Sequence, residues 1–418
     1  MRRDRRSKPR FTRPVPPPKM GASMIPGDQI IYLDNNATTQ LDPAVIEEML
    51  PFLADYYGNP SSGYMFGRQV RQAIDLARER VAALLGCDPG EIVFTSCGTE
   101  SNNAAVNSAL QLDPNRRHVV TTAVEHSATR VHCETVTKRG CTLAVVGVDH
   151  DGNLDLDELE RAITPQTAIV TVMWANNETG VLFPVEKIAA ITRRKRVLFH
   201  TDAIQTVGKM PIRLADMTLN SLALSAHKLH GPKGVGALYV NKRSAFKPLL
   251  IGGSQENNRR AGTENVASIV ALGKAAECAA AALAEENSRV RAMRDRFESG
   301  VLERVPDTFV NGDRTARLPN TSNLSFVGIE SDAALVMFDR HRLCCSAGSA
   351  CRTGSLETSH VLRAMNVPPE RARASMRFSF GRFNTDADVD KALEIIPATV
   401  SKLRAMSPSS ASREPASV

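Results

Sequence analysis

The sequence has little of what marks a membrane or secreted protein. No uninterrupted apolar run approaches the ~20 residues of a bilayer-spanning helix, and the N-terminal segment has no hydrophobic stretch typical of a signal peptide. The eight cysteines include no CxxC pair, and their scattered spacing is not that of a disulfide framework. We therefore expect a soluble, cytoplasmic protein with no membrane partner, in which most thiols are small buried hydrophobic groups.

Beyond its first twenty residues the chain also lacks any excess of charge. The net charge of +7 equals that of residues 1–20, where eight Lys or Arg accompany one acid, Asp4. This segment has five prolines and almost no large apolar residues, so residues 1–27 are predicted to form a disordered basic tail. We interpret it as a dispensable extension, or as sequence upstream of a start at Met20 or Met24. The alternative is that this tail binds nucleic acid or acts in targeting. Apart from that alternative, no nucleic-acid partner is expected.

The pattern of apolar residues indicates an α/β fold. From Ile30 onward, apolar strand-like runs alternate with helical patterns, which is typical of a largely parallel sheet. The predicted strands of one seven-stranded sheet are Ile92–Thr95, His118–Thr121, Leu143–Val148, Ala168–Trp174, Val197–Thr201, Ser221–Leu224 and Gly236–Val240. Helices are predicted over Arg68–Leu85, Glu100–Leu110, Leu156–Ile163 and Val185–Lys195, and one or two more over Ala267–Val305.

The change in the pattern of residues after about Val266 indicates two domains. With 418 residues, 42% of them hydrophobic, the chain can bury one large core and a smaller one. We predict a large domain over residues 41–265 and a smaller α+β domain formed by residues 28–40 and 266–406. Residues 407–418 are predicted to be a disordered tail.

The most informative residue is Lys228, in the segment Ser225-Ala-His-Lys228 between two apolar runs and just before a Gly-Pro-Lys-Gly turn. A lysine there is expected to be buried. Burial lowers the pKa of an amine towards its neutral, nucleophilic form, which Schiff-base chemistry on a carbonyl cofactor requires.

Two further polar segments follow apolar strands. Around Gly98 and Thr99 a strand, a turn and a helix start are predicted, and backbone amides at a helix N-terminus bind anions. A structural helix cap by Ser96 or Thr99 explains the same residues. Asp202 ends a strand, where it is either a helix cap or the counter-charge of a protonated pyridine nitrogen, and Gln205 is expected near the same face.

His126 and the segment from Trp174 to Gly180 also follow strands. His126 is either a capping or core residue or a ring that stacks on a planar cofactor. The second segment is either a polar turn stabilised by Asn side chains or a set of amides that hold a phenolic oxygen or a carboxylate. With Lys228, these segments supply a phosphate cradle, a ring stacker, a pyridinium partner and a Schiff-base lysine, so we predict pyridoxal 5'-phosphate as the cofactor.

Six motifs carry a resemblance to a known family. The chain resembles the cysteine desulfurases, and most of all their nitrogen-fixation (NifS-like) branch within the class V, fold-type I pyridoxal-phosphate enzymes, over about Ile30 to Met406. The motifs are Asp34-Asn-Asn-Ala-Thr-Thr39, Gly58-Asn-Pro-Ser-Ser62, Asn176-Asn-Glu-Thr-Gly180, His200-Thr-Asp-Ala203, Ser225-Ala-His-Lys228 and Arg259-Arg-Ala-Gly-Thr-Glu-Asn265.

The resemblance implies specific cofactor contacts. Lys228 would form the Schiff base. The other implied contacts are His126 stacked on the ring, Asp202 at its nitrogen, Gln205 and Asn177 at its phenolic oxygen, and Gly98, Thr99, Ser225, His227 and Thr263 at the phosphate. Thr263 is expected from a partner subunit, so the resemblance implies a homodimer.

The reaction depends on the segment Cys344-Cys-Ser-Ala-Gly-Ser-Ala-Cys-Arg-Thr-Gly-Ser355, whose small residues predict a mobile loop. The family match makes Cys351, rather than Cys344 or Cys345, the thiolate that takes sulfur from the substrate and holds it as a persulfide. Arg352, where Thr or Ser is usual, is expected to favour that thiolate. Ala226, where Gly is frequent, is a minor departure.

The implied function is a cysteine desulfurase that converts L-cysteine to L-alanine, with Arg377 and Asn177 binding the substrate. From the sequence alone Arg377 is equally a surface ion-pair residue. The sulfur acceptor would be an iron–sulfur scaffold of the NifU-like or IscU-like kind, serving nitrogen fixation or general cluster assembly. No resident metal is expected, and metal binding is limited to transient contact of Cys351 with a cluster. Alternatives are a selenocysteine lyase, another class V aminotransferase, or a non-catalytic scaffold.

Overall fold

The computed structural model describes residues 27–347 and 358–406. Residues 27–30 form a short 3-10 turn, Gly27–Gln29, in which the amide of Ile30 donates to the Gly27 carbonyl. From residue 31 onward the strands are β1 (Ile31–Tyr32), β2 (Ile92–Thr95), β3 (His118–Thr122), β4 (Thr142–Val146), β5 (Thr167–Thr171), β6 (Leu198–Asp202), β7 (Ser221–Ser225), β8 (Gly236–Val240), β9 (Thr308–Val310), β10 (Thr321–Phe326), β11 (Leu343–Cys344), β12 (Ser346–Ala347) and β13 (Ser375–Ser379).

The helices of the same part of the chain are α1 (Pro43–Met49), α2 (Pro51–Ala54), α3 (Met65–Leu85), α4 (Gly98–Leu112), α5 (Ser127–Thr137), α6 (Leu156–Ala162), α7 (Val185–Lys195), α8 (Gln255–Asn258), α9 (Val266–Glu285), α10 (Arg291–Arg304), α11 (Ser331–Arg340), α12 (His360–Ala364), α13 (Pro369–Arg373) and α14 (Asp386–Met406). Short 3-10 turns lie at Pro89–Glu91, Leu214–Asp216 and Ala226–Lys228, and a π turn, Glu286–Val290, joins α9 to α10.

The predicted seven-stranded sheet is confirmed. Its order is β2-β8-β7-β6-β5-β3-β4, and all neighbours are parallel except β8, which runs antiparallel to both β2 and β7. Six of its strands are buried along almost their whole length, which explains their continuous apolar sequences. The predicted strand Ala168–Trp174 is assigned only as far as Thr171, although the amides of Val172 and Trp174 still donate to carbonyls of β6, and Met173 lines a cavity.

A second, antiparallel sheet has the order β12-β13-β10-β9. It packs with α10, α11 and α14 around five buried phenylalanines, Phe297, Phe326, Phe338, Phe378 and Phe380. This core is separate from the one beneath the large sheet, which includes residues of α3 and α9. The domain boundaries at residues 40 and 265 stay a prediction. The predicted tails beyond Gly27 and Met406 lie outside the described residues.

The predicted helical region after Ala267 is two helices joined end to end. By length and composition, the segment Val266–Arg304 contains a stretch apolar enough to cross a membrane, although more than half of that stretch is buried inside the protein. Lys274 and Glu277 interrupt it, which is why no uninterrupted apolar run marks it in the sequence. Because α9 packs closely on α1 and α3, it occupies the place of a core helix.

Candidate active site

A cavity of about 370 Å³ lies at the carboxyl ends of the parallel strands, where ligands bind in open α/β sheets. Ten of the predicted site residues line it: Gly98, Thr99, His126, Asn177, Asp202, Gln205, Ser225, His227, Lys228 and Arg377. Thr263 is exposed and does not line it. Cys351 and Arg352 lie outside the described residues. Four further residues line it that were not predicted as site residues from the sequence: Asn36, Ala37, Cys97 and Ser346.

Lys228 reaches the cavity from the 3-10 turn between β7 and β8. Its Nζ donates hydrogen bonds of 2.5 Å to the carbonyl oxygens of Asn36 and of Ala37. Burial, and next the positive charge of Arg377, lower the pKa of Lys228 to about 7. A substantial fraction of this amine is therefore neutral near pH 7, as nucleophilic attack on a carbonyl requires.

Asp202 is held at the end of β6 by two donors. Its Oδ1 accepts from the backbone amide of Ile204 at 3.0 Å, and its Oδ2 accepts from Nδ2 of Asn102 at 2.6 Å. No helix begins at Asp202 in the described chain, so the helix-cap interpretation is wrong. The carboxylate is fixed as a negative charge on the cavity wall.

A chain of buried polar groups continues behind Asp202. Oδ1 of Asn102 lies 2.9 Å from Nε2 of His200, whose Nδ1 lies 2.9 Å from Oγ of Ser221. Burial lowers the pKa of His200 to about 3, so its ring is neutral and acts only as a hydrogen-bonding link. Sequence reasoning missed the roles of Asn102 and His200, although His200 begins the motif that contains Asp202.

The capping interpretation of His126 is confirmed, and its stacking on a cofactor ring stays a prediction. His126 is the N-cap of α5, where its Nδ1 accepts from the amide of Ala128 at 3.2 Å, and its ring also lines the cavity. Burial is the main cause that lowers its pKa, followed by opposing effects of Asp202 and Lys228. The hydrogen bond to Ala128 holds the ring at the wall of the cavity.

The helix α4 begins at Gly98, directly on the cavity. Its N-cap is Cys97, which makes no side-chain cap, so the interpretation of Ser96 or Thr99 as the cap is wrong. A Cβ at position 98 would lie 2.1 Å from Cδ1 of Ile204, so glycine keeps the approach to the helix N-terminus open. The amides of this first turn face the cavity region where a phosphate cradle is predicted, and phosphate binding there stays a prediction.

Arg377, on β13, is buried rather than a surface residue, so the surface ion-pair interpretation is wrong. Its Nη2 donates to Oδ1 of Asp34 at 2.8 Å and to Oγ of Ser346 at 2.9 Å, and its Nη1 donates to the carbonyl of Asn177 at 2.9 Å. The turn before Gly180 is held by Asn176, as the polar-turn interpretation predicts.

Comparison with known proteins identifies the family and the fold. Residues 31–392 match the family described as aminotransferase class-V. The chain is also 51% identical to a cysteine desulfurase of Nostoc sp. over 379 residues, which is 91% of this chain and 95% of that protein. The chain belongs to this family, among its cysteine desulfurases.

Further relatives agree. The cysteine desulfurase NifS of Azotobacter vinelandii is 48% identical, over 90% of this chain and 94% of its own length. A solved structure named NifS-like protein superposes with a TM-score of 0.84 at 36% identity, over 90% of this chain and all of its own. A structure of SspA in complex with cysteine superposes with a TM-score of 0.75 at 33% identity, over 85% of this chain and 99% of its own. The fold is thus the fold-type I architecture expected from the sequence.

The family depends on pyridoxal phosphate, and the site fits that cofactor. Besides a neutral lysine, a buried carboxylate and a helix N-terminus, it contains Gln205, whose Nε2 donates to the carbonyl of Asn36 at 2.9 Å. The Oε1 atom of Gln205 is buried and has no hydrogen-bond partner among the described residues. A polar substituent of a bound ring would satisfy this atom. Among the same residues no cluster of three His, Cys, Asp or Glu is arranged to hold a metal ion.

Proposed function

We propose that the enzyme converts L-cysteine to L-alanine and retains the sulfur atom on Cys351 as a persulfide. Overall, cysteine and the Cys351 thiol become alanine and the Cys351 persulfide, so atoms balance and no external oxidant is required. The observation that carries this proposal is the convergence of Lys228, Asp202, His126 and Arg377 on one cavity, in a chain half identical to cysteine desulfurases.

The cofactor contacts are proposed as follows. Lys228 binds the cofactor covalently through its side-chain amine, and Asp202 pairs with the ring nitrogen. His126 stacks on the ring, Gln205 and Asn177 contact the phenolic oxygen, and Gly98, Thr99, Ser225 and His227 hold the phosphate. When bound, pyridoxal phosphate supplies an electron sink that weakens bonds at the substrate's α-carbon.

The remaining steps use groups of this chain. Arg377 presents a planar, buried guanidinium whose Nε has no partner among the described residues and can donate to the substrate carboxylate, with Nη2 joining this grip by exchanging one of its present partners. Once released from the cofactor, Lys228 is close to neutral and moves the proton of the α-carbon. Asn177 helps to position the substrate beside Arg377.

The choice of Cys351 over its two neighbours is supported by their surroundings. Burial raises the pKa of Cys344 and raises that of Cys345 well above its usual value. Both thiols therefore stay protonated at neutral pH, and a thiol is a poor nucleophile.

A homodimer is proposed, in which Thr263 contributes to the phosphate site of the partner subunit. It is supported by the exposure of Thr263 and by large apolar side chains on the surface, among them Leu53, Tyr57, Met65 and Ile251. Where such side chains form one contiguous patch, they mark an interface.

The sulfur is proposed to pass to an iron–sulfur scaffold protein in the cytoplasm, most directly for nitrogenase maturation. The identity with the relative named NifS supports that assignment over general cluster supply. The proposed division into a large domain, residues 41–265, and a small one, residues 28–40 and 266–406, is supported by the separate core around the second sheet. The helix α9 departs from this division, because its buried residues belong to the core beneath the large sheet.

The test measures sulfide and alanine released from L-cysteine by the wild type, by Cys351→Ala and by the matched variant Cys344→Ala. Cys351→Ala is expected to keep the yellow cofactor and to lose sulfide production, whereas Cys344→Ala keeps both. Full sulfide production by Cys351→Ala would refute the persulfide step. Alanine formed by that variant from selenocysteine alone would favour the selenocysteine lyase.

A further inference from the structure

A second, much smaller cavity lies beside Lys228 and is distinct from the active-site cavity. Its volume is about 10 Å³, which accommodates about one water molecule. Lys228 lines both cavities, and the small one is also lined by Lys209 and Glu286. Two charged side chains without a described catalytic role therefore approach the reactive lysine from outside the substrate cavity.

Lys209 and Glu286 are each only 6% exposed. Burial lowers the pKa of Lys209 to about 8, and the nearby Glu286 opposes that effect. Burial in turn raises the pKa of Glu286, and Lys209 opposes it. Each group thus favours the charged form of the other, although no direct ion pair joins them. Glu286 begins the π turn between α9 and α10, a kind of irregularity that is frequent at functional sites.

Hydrogen bonds connect Lys209 to the site. Its Nζ donates to the carbonyl of Gln205 at 3.1 Å, while the side chain of Gln205 donates to the carbonyl of Asn36 at 2.9 Å. The same carbonyl of Asn36 accepts from Nζ of Lys228. The π turn is also bound to Lys209, because Nδ2 of Asn287 donates to the Lys209 carbonyl at 2.9 Å. Three hydrogen bonds, through Gln205 and Asn36, therefore connect Lys209 to Lys228.

We propose that Lys209, whose positive charge is favoured by Glu286, is a positioning residue that disfavours the charged form of the Lys228 amine from outside the substrate cavity and fixes the backbone of Gln205 in place. This inference rests on the proposed role of Lys228 as the amine that binds the cofactor. It gives a function to a buried lysine that neither touches the substrate cavity nor forms a direct ion pair.

Other charges also act on Lys228. After burial, which contributes most, Arg377 and then Lys209 lower the pKa of Lys228, whereas Asp34 and Asp202 raise it. Asp202 and Arg377 line the active-site cavity, and Asp34 accepts a hydrogen bond from Arg377, so bound substrate and cofactor change the surroundings of these groups. Lys209 is sequestered from that cavity, so its effect on Lys228 persists through the reaction cycle.

The test determines the protonation midpoint of Lys228 in the full-length chain free of cofactor. The rate at which acetic anhydride labels Lys228 is followed by mass spectrometry between pH 5 and 10. Lys209→Met is expected to raise the midpoint by about half a unit or more, because a repelling charge is lost. Lys209→Met combined with Glu286→Gln, which leaves no unpaired buried charge, is expected to do the same. Lys209→Arg keeps the charge and is expected to keep the wild-type midpoint.

An unchanged midpoint in both methionine variants would overturn the inference. So would a midpoint raised equally by Lys209→Arg, since packing rather than charge would then be responsible. Borohydride reduction of the holoenzyme separates this outcome from a failure of the proposed function. If the reduced cofactor is not attached to Lys228, the proposed function fails; if it is attached and the midpoint is insensitive to Lys209, only the present inference fails.

Discussion

Asn102 donates a 2.6 Å hydrogen bond from its Nδ2 to Oδ2 of Asp202, and both side chains are buried. Because His200 holds the other end of the Asn102 amide, the carboxylate of Asp202 has a fixed orientation. Asn102→Ala removes this donor and is expected to weaken pyridoxal phosphate binding roughly tenfold or more, the usual effect of losing a hydrogen bond to a charged group. The dissociation constant is measured by quenching of the single tryptophan's fluorescence.

The matched control is Asn103→Ala, one position further along α4, which has no described contact with Asp202. Equal weakening in both variants would mean that the helix, rather than the contact with Asp202, is responsible.

The protonation of Lys228 predicts how cofactor capture depends on pH. Its pKa is lowered to about 7, so the neutral amine dominates above that pH and the ammonium below it. Since only the neutral amine attacks the cofactor's carbonyl, the rate of capture by the cofactor-free chain is expected to rise about tenfold per unit below pH 7 and to level off above it. Stopped-flow absorbance measures this rate. A rate that still rises tenfold per unit between pH 8 and 10 would contradict the prediction.

Substitution of Arg377 is expected to affect substrate binding more than turnover. Arg377→Lys keeps the charge but loses the planar fork and its hydrogen bond to Ser346, so KM for L-cysteine is expected to increase about tenfold or more with a smaller change in kcat. Arg373→Lys, an exposed arginine of α13, is the control and is expected to leave both constants unchanged. A fall in kcat at unchanged KM would exclude a carboxylate-binding role for Arg377.

Glu125 makes stability depend on pH. It is fully buried, its Oε1 accepts from Oγ1 of Thr122 and the amide of Met173, and burial raises its pKa to about 8. The folded protein thus keeps this carboxyl protonated while the unfolded chain loses the proton near pH 4, so its contribution is complete below pH 4 and is lost as the pH rises to about 8.

Over that range Glu125 is expected to lower the free energy of unfolding by about 1.4 kcal/mol per pH unit. Urea denaturation of the wild type, Glu125→Gln and the exposed control Glu134→Gln between pH 5 and 9 tests this. Glu125→Gln is expected to lose the dependence and Glu134→Gln to keep it. Parallel stability profiles for all three proteins would show that Glu125 is ionised in the folded state.

The large sheet could be predicted from the sequence because its strands are buried on both faces and are therefore apolar throughout. Their ends were less predictable. Val172 and Met173 are as buried as the strand before them, but of the two only Val172 donates its amide to β6, whereas Met173 lines the site. Burial alone does not tell a strand from the wall of a cavity.

The site could be predicted where side chains carry the chemistry, as for Lys228 and Asp202. It could not be predicted where the backbone does so, since the Asn36 carbonyl that accepts from Lys228 leaves no mark in the sequence. Lys209 was missed for a different reason. A lysine is ordinarily solvated, and only the fold reveals that this one is enclosed.

The pairing of Arg377 with Asp34 has a consequence for how the protein is made. The two residues are 343 positions apart, and β1 likewise pairs with β11 late in the chain. At ribosomal rates of about 5 to 20 residues per second, Asp34 waits roughly 17 to 70 s for its partner to be synthesised. The nascent chain can complete its large sheet during that time, but the pocket that grips the substrate closes only when translation is nearly finished.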